Sequence, residues 1–102
     1  MTGINLAYLE RRARRGRMVD VDFLMEQLHP NQEFGLCKMI DYALGLIESD
    51  TGRERIRHYL FNGRCQMQRN YAALYFKRRH VGPLLDEAVE RGCIDIIQAY
   101  AQ

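Results

Sequence analysis

Apolar residues recur every three or four positions along almost the whole chain, which is the spacing of one face of an α-helix. The clearest stripe consists of Phe34, Cys37, Ile40, Leu44 and Ile47. No sustained alternation of apolar and polar residues indicates a strand. Asn62-Gly63, a frequent hairpin turn, follows a helix-like stretch and fits a helix end better. The sequence therefore predicts an all-α fold.

Helix start and stop signals divide this pattern into five to seven short helices. The first helix is expected to end near Gly16. Asp20 or Asp22 can cap the second helix, Asn31 the third, and Pro83 suits the first turn of the sixth. The fifth helix is predicted over 65–79, with Met67, Tyr71, Leu74 and Tyr75 facing inward. Short linkers predict antiparallel hairpins, packed as a compact bundle or a short α-solenoid, in a single helical domain over 1–102.

Two stretches near the carboxyl end carry a family resemblance. The run Ala88-Val89-Glu90-Arg91-Gly92-Cys93-Ile94-Asp95-Ile96-Ile97 resembles the helix–turn–helix of an ankyrin repeat, and Pro83-Leu84 resembles the start of one, displaced by one residue. Asn70-Tyr71-Ala72-Ala73-Leu74-Tyr75 resembles the first helix of a HEAT-type repeat. The resemblance implies helical-hairpin geometry over about residues 70–100 and favours protein binding, and it assigns a role to no residue.

The net charge of +2 hides alternating charged segments. Residues 1–17 carry a net charge of +4, residues 18–52 carry −6, residues 53–79 carry +7 and residues 80–102 carry −3. We call 53–79 the basic segment. Such segregation indicates either charged partners or pairing inside the molecule.

The candidate contacts for nucleic acid, another anion or an acidic partner are basic residues of the basic segment and of 11–17. Arginine pairs with phosphate or carboxylate, and exposed aromatic rings stack on unpaired bases. The interpretation that needs no ligand is that these arginines pair with the acidic segments and that the interleaved aromatic residues are core; it is the favoured one. The candidates are Arg53, Arg57, Arg64, Arg69, Lys77, Arg78, Arg79, Arg11, Arg12, Arg14 and Arg15.

Signals for catalysis and for metal or cofactor binding are poor. Ser49 is the only serine and is expected to cap a helix rather than act as a nucleophile. The three histidines and three cysteines match no metal-ligand spacing, and no glycine-rich phosphate loop occurs. We therefore expect no enzyme, no metal and no cofactor.

The expected function is protein–protein interaction, as a small adaptor or regulatory subunit that binds a partner or a second copy of itself. The alternative is RNA or DNA binding through 53–79 and 11–17. No export signal or membrane span is recognisable, which predicts a cytoplasmic protein with reduced thiols.

Overall fold

A computed structural model describes residues 4–100 of the chain, and over this range it contains seven α-helices and no strand. The prediction of an all-α fold is thus confirmed, with the helix number at the upper end of the predicted range. The helices are α1 (Leu6–Arg15), α2 (Met18–Glu26), α3 (Phe34–Gly45), α4 (Asp50–Asn62), α5 (Gln66–Arg78), α6 (Gly82–Glu90) and α7 (Ile96–Tyr100).

The chain divides between Arg55 and Ile56 into two compact units, which we call unit 1 and unit 2. In unit 1, helices α1, α2 and α3 contact one another pairwise. In unit 2, helices α5, α6 and α7 do the same. Helix α4 begins in unit 1 and ends in unit 2. Whether the two units act as the predicted single domain stays a prediction.

Each unit buries its own apolar side chains. Unit 1 buries Leu9 of α1, Leu24 of α2 and Ile40 of α3, all completely. Unit 2 buries Tyr75 of α5 and Leu85 of α6. Removing such side chains from water is the main favourable contribution to folding, and it fixes which face of each helix turns inward.

Several helix ends follow the predicted chemistry. Helix α1 ends at Gly16, which adopts the left-handed conformation with φ +61° that glycine tolerates best. Asn62 ends α4, so Asn62-Gly63 is a helix end and not a hairpin turn. Ser49 caps α4, because its Oγ accepts the N–H of Gly52 at 3.0 Å.

Two predicted caps are wrong. Asp20 does not precede α2 but lies inside its first turn, where its carboxylate accepts the backbone N–H of Arg17 at 3.1 Å. Asn31 lies in a turn, and α3 begins only after Glu33. Both errors arise because a capping side chain is equally suited to a neighbouring turn or to the third helical position, and tertiary contacts decide between them.

The predicted inward face of α5 is also wrong except at Tyr75. Met67, Tyr71 and Leu74 are only partly buried. The buried residues of this helix are Gln68, Ala72, Ala73, Tyr75 and Phe76. The buried face includes two adjacent alanines, whose small side chains let neighbouring helices approach closely but contribute little to a hydrophobic pattern.

Candidate binding site

Arg12 and Asp20 form the most buried charged contact of unit 1. Arg12 Nε lies 3.0 Å from Asp20 Oδ1, and the carboxylate is completely buried. The guanidinium also lies 4.4 Å from the ring centre of Phe23, and it donates to the carbonyl of Val19. Arg12 therefore ties α1 to α2, and this structural role removes it from the surface candidates.

A second arginine completes the environment of Asp20. Arg17 Nε donates to Asp20 Oδ2 at 2.9 Å. Burial alone would raise the pKa of Asp20, but the hydrogen bonds from Arg17 and the charges of Arg17 and Arg12 outweigh it and hold this pKa below its ordinary value. The same contacts raise the pKa of Arg17. The carboxylate is thus charged at neutral pH and acts as an internal counterion.

The three remaining candidates of α1 lie on the surface of unit 1. Arg11, Arg14 and Arg15 are exposed. Positions three and four apart share one side of a helix, so the three side chains form a single basic patch. Arg11 lies 5.8 Å from the ring centre of Tyr8 on the same helix. The patch contains three of the four candidates of α1, and Arg12 is the exception.

The part of the basic segment that lies in unit 1 is paired with acidic residues of 18–52. Arg53 Nη2 lies 2.8 Å from Glu48 Oε1, and Arg55 Nε lies 2.7 Å from Asp22 Oδ1. These two contacts are the internal pairing that the sequence favours.

Two candidates of unit 2 bind backbone carbonyls and so hold the fold together. Arg69 donates to the carbonyls of Gly63 at 2.8 Å and Cys93 at 2.9 Å. Lys77 Nζ donates to the carbonyl of Gln98 at 3.1 Å, which joins α5 to α7. The internal partners here are carbonyls of connecting segments and helix ends, whereas the sequence suggested carboxylates of 80–102.

Cation–π contacts inside unit 2 occupy other candidates. The guanidinium of Arg57 lies 5.4 Å from the ring centre of Phe61, and that of Arg91 lies 4.7 Å from the same ring. Arg79 lies 3.7 Å from the ring centre of Tyr75. Such stacking uses aromatic faces that a nucleic-acid base would otherwise need.

The remaining candidates, Arg64 and Arg78, are exposed, and Arg78 borders an open cleft of about 680 Å³ in unit 2. Helices α5, α6 and α7 all contribute to this cleft. The lining residues are Leu74, Lys77, Arg78, His80, Gly82, Leu85, Ala99 and Tyr100. Apolar side chains and three basic ones therefore line one concavity, whose volume lies within the range of about 300–1,000 Å³ typical of ligand pockets.

Exposed apolar side chains continue from this cleft along α7. Tyr100 is half exposed, and Ile96 and Ile97 are 64% and 70% exposed. Ile96 and Ile97 precede Tyr100 by four and three residues, so they adjoin it on the helix surface. We call these three residues the α7 apolar face. The adjacent isoleucines Ile96 and Ile97 are the sequence signal that could have indicated it, since neighbouring positions do not lie on the same side of a helix.

His80 lines the cleft and has a left-handed backbone conformation, which is unusual for a residue other than glycine. The N–H of Val81 donates to the carbonyl of Phe76, and His80 adopts φ +60° between them. The same hydrogen-bond pattern ends α6, where Gly92 occupies the equivalent position with φ +76°. Glycine is the usual residue at this left-handed position, so a histidine there is less favourable for the backbone.

Other chemistry is sparse over the described range. Residues 4–100 contain no group of three or more His, Cys, Asp or Glu side chains able to hold a metal ion. Cys37, Cys65 and Cys93 are free thiols, and burial raises the pKa of the Cys37 thiol. Within the part of the chain that the structure covers, no helix is both long and apolar enough to cross a bilayer.

No protein-family model, no characterised protein and no solved structure matches this chain. Over the residues that the structure describes, the chain is an all-α protein.

Proposed function

We propose that this chain is a protein-interaction module and that unit 2 binds an apolar segment of a partner protein. The observation that carries the proposal is the cleft of unit 2 together with the α7 apolar face. Exposed apolar side chains that adjoin one another mark interaction sites more often than isolated ones do.

The extent of this surface favours a polypeptide over a small molecule. A small ligand would be covered by the cleft, whereas Ile96 and Ile97 are not among its lining residues and extend the apolar surface outside it. A partner segment can place one side chain among Leu74, Leu85 and Ala99 and cover the isoleucines with its neighbours. Tyrosine at the edge provides a large, stiff contact of the kind enriched at binding hot spots.

The proposal assigns no catalytic step to the chain. Ser49 is occupied as a helix cap and donates to the carbonyl of Gly16 at 2.7 Å. The three free thiols suit a reducing compartment, and we propose the cytoplasm as the place of action.

A peptide-display selection on the full chain tests this function. A random peptide library is selected on the wild-type protein, and the enriched peptides are then measured on two double variants. The first, Ile97→Ser with Tyr100→Ala, removes apolar area at the site. The control, Phe34→Ser with Tyr42→Ala, removes exposed apolar area of a similar kind from α3 in unit 1.

The proposal expects the enriched peptides to bind the wild type and the α3 control alike and to lose at least about tenfold in affinity on the α7 variant. Enrichment of no peptide would contradict the proposal. So would peptides that depend on Phe34 and Tyr42 and not on α7.

Nucleic-acid binding is a second candidate function, favoured by the exposed patch of Arg11, Arg14 and Arg15 in α1. It draws little support from the basic segment, because most of the basic side chains of that segment contact carboxylates, carbonyls or rings within the chain.

The test of nucleic-acid binding is to measure how the affinity for RNA and DNA oligonucleotides changes with salt concentration. On duplex DNA, the logarithm of the affinity falls linearly with the logarithm of the salt concentration, and each phosphate contact adds about 0.9 to the steepness of that line. Arg14→Gln with Arg15→Gln should reduce this slope, and an unchanged slope would exclude the patch.

A further inference from the structure

We infer that the segment bound by unit 2 is acidic: it carries carboxylate side chains next to its apolar anchor, and Lys77, Arg78 and His80 bind them. This inference rests on the proposed function and specifies the partner of the same site. The juxtaposition behind it is an apolar floor with nitrogen donors at its edge.

The charge of the cleft has one sign. Three of its lining residues carry N–H donors, and no carboxylate occurs among the described residues that line it. This bias is local, because the carboxyl-terminal stretch from residue 80 onward is acidic overall. A partner carboxylate beside the apolar floor would meet these donors where water is partly excluded, which strengthens an ionic hydrogen bond.

Hydrogen bonds within unit 2 restrain Lys77 and the backbone of His80. Lys77 is tethered to α7 by its hydrogen bond to the carbonyl of Gln98, at the side of the cleft where Ala99 and Tyr100 lie. The backbone of His80 is held by the hydrogen bonds that close the end of α5, which fixes the position from which its imidazole projects. Donors that are ordered before binding lose less conformational entropy on meeting a carboxylate.

The backbone of His80 is an independent observation that points to a ligand. Helix α6 shows that the same turn is closed by Gly92 in this unit. Histidine at the α5 turn therefore has a conformational cost that its fold does not require, and its imidazole lines the cleft. Unfavourable backbone conformations of this kind concentrate at functional sites.

An acidic amphipathic segment fits both parts of the surface. A free phosphate or a nucleic-acid backbone would use the donors but would leave Leu74, Leu85 and the α7 apolar face exposed. A purely apolar segment would bury the floor but would place no carboxylate beside Lys77, Arg78 and His80, so the charge of the cleft would contribute nothing to its binding. Acidic motifs recognised by basic clusters and helices recognised by apolar grooves are both established modes of peptide binding.

The composition of peptides selected on three proteins tests the inference. The wild type should enrich Asp and Glu beside apolar residues. The variant Arg78→Glu should lose this preference and enrich Lys and Arg. The control Arg64→Glu changes the same charge at an exposed position of unit 2 that does not line the cleft, and it should select like the wild type.

Titration of the tightest-binding peptide onto the protein measures what the carboxylates of the peptide and the side chain of His80 contribute to the affinity. A copy of this peptide in which each glutamate is replaced by glutamine should bind at least about fivefold more weakly. A hydrogen bond from a donor of the cleft to a charged carboxylate contributes more than one to a neutral amide. His80→Gly should weaken binding by a similar factor while melting at an equal or higher temperature, which separates loss of the contact from loss of the fold.

The outcomes separate this inference from the proposed function. Enriched peptides that are apolar but not acidic, or an unchanged preference in Arg78→Glu, overturn the acidic partner and leave peptide binding standing. Enrichment of no peptide overturns both. If an RNA oligonucleotide displaces the peptide at a lower concentration than its own unlabelled copy does, and this displacement is lost in Arg78→Glu, the donors are assigned to nucleic acid and the inference is overturned.

Discussion

Replacement of Asp20 by asparagine is expected to destabilise unit 1 more than loss of the charge on the partly exposed Asp22 would. Asparagine keeps the shape of the side chain and removes its charge. Arg12 and Arg17 would then face a neutral amide where they now face a completely buried carboxylate. The two arginines differ in how well water can solvate their charges once the carboxylate is gone.

The magnitude follows from the exposure of the two cations. The side chain of Arg17 is 56% exposed and can be solvated, whereas that of Arg12 is only 18% exposed and lies against Phe23. Breaking a buried ion pair destabilises a protein by about 3–5 kcal/mol, because one charge is left uncompensated. Because only Arg12 is largely buried, we expect about 3 kcal/mol for Asp20→Asn, the lower end of that range.

Urea unfolding followed by far-ultraviolet circular dichroism measures this loss. Asp22→Asn is the matched control, since Asp22 lies two residues further along α2 and pairs with Arg55 at 2.7 Å while remaining 27% exposed. A pair with that much exposure contributes about 1 kcal/mol at most. The buried position should therefore lose clearly more stability than the control.

The pH dependence supplies the result that would refute the reasoning. Because the folded state lowers the pKa of Asp20, its contribution is complete above the ordinary aspartate pKa of about 3.9 and is lost as the pH falls through the lower folded value. The difference between wild type and Asp20→Asn should thus stay constant from neutral pH to about 4 and shrink below it. A difference no larger than that of Asp22→Asn, or one that grows in acid, would show that the buried pair does not act as described.

Three further changes have definite expected outcomes. Gly16→Ala should destabilise unit 1 by about 2 kcal/mol or more in urea unfolding, because φ is +61° and the new Cβ would clash with Ser49 Oγ; the loss should be smaller in a Ser49→Ala background. His80→Gly should raise the melting temperature, by up to about 4–8 °C if relief of the left-handed backbone contributes 1 kcal/mol, and a lower melting temperature would contradict the assigned turn. The Cys37 thiol should react with a neutral disulfide reagent more slowly than the two half-buried thiols at neutral pH, and equal rates would contradict its burial.

The sequence predicted the helical class and most helix ends because those depend on neighbouring residues. Ser49 caps α4 and Gly16 ends α1 through contacts within a few positions of each. The inward face of α5 depends on which side its neighbours approach. The larger residues Met67 and Leu74 set the predicted face, whereas the structure packs Ala72 and Ala73 inward. Small residues carry little periodic signal even where they decide how closely helices pack.

The candidate site was predictable only in part, for a related reason. Lys77 and Arg78 belong to the predicted basic segment and line the cleft. His80 and Leu85 were not predicted, because a cleft is formed where ends of three helices meet, and no local pattern encodes that meeting. The left-handed conformation of His80 was equally hidden, since the turn carries no glycine.

The internal contacts of the arginines determine which substitutions can test function at all. Loss of Arg69 would remove its hydrogen bonds to the carbonyls of Gly63 and Cys93, so reduced binding in Arg69→Ala would report on the fold as much as on a ligand. Arg78 and Arg64 are exposed on the same unit, and only Arg78 lines the cleft. Their comparison at constant net charge isolates the position of the charge from its amount. A ligand attracted by the overall positive potential would respond equally to both variants, whereas a partner seated in the cleft would respond to Arg78 alone.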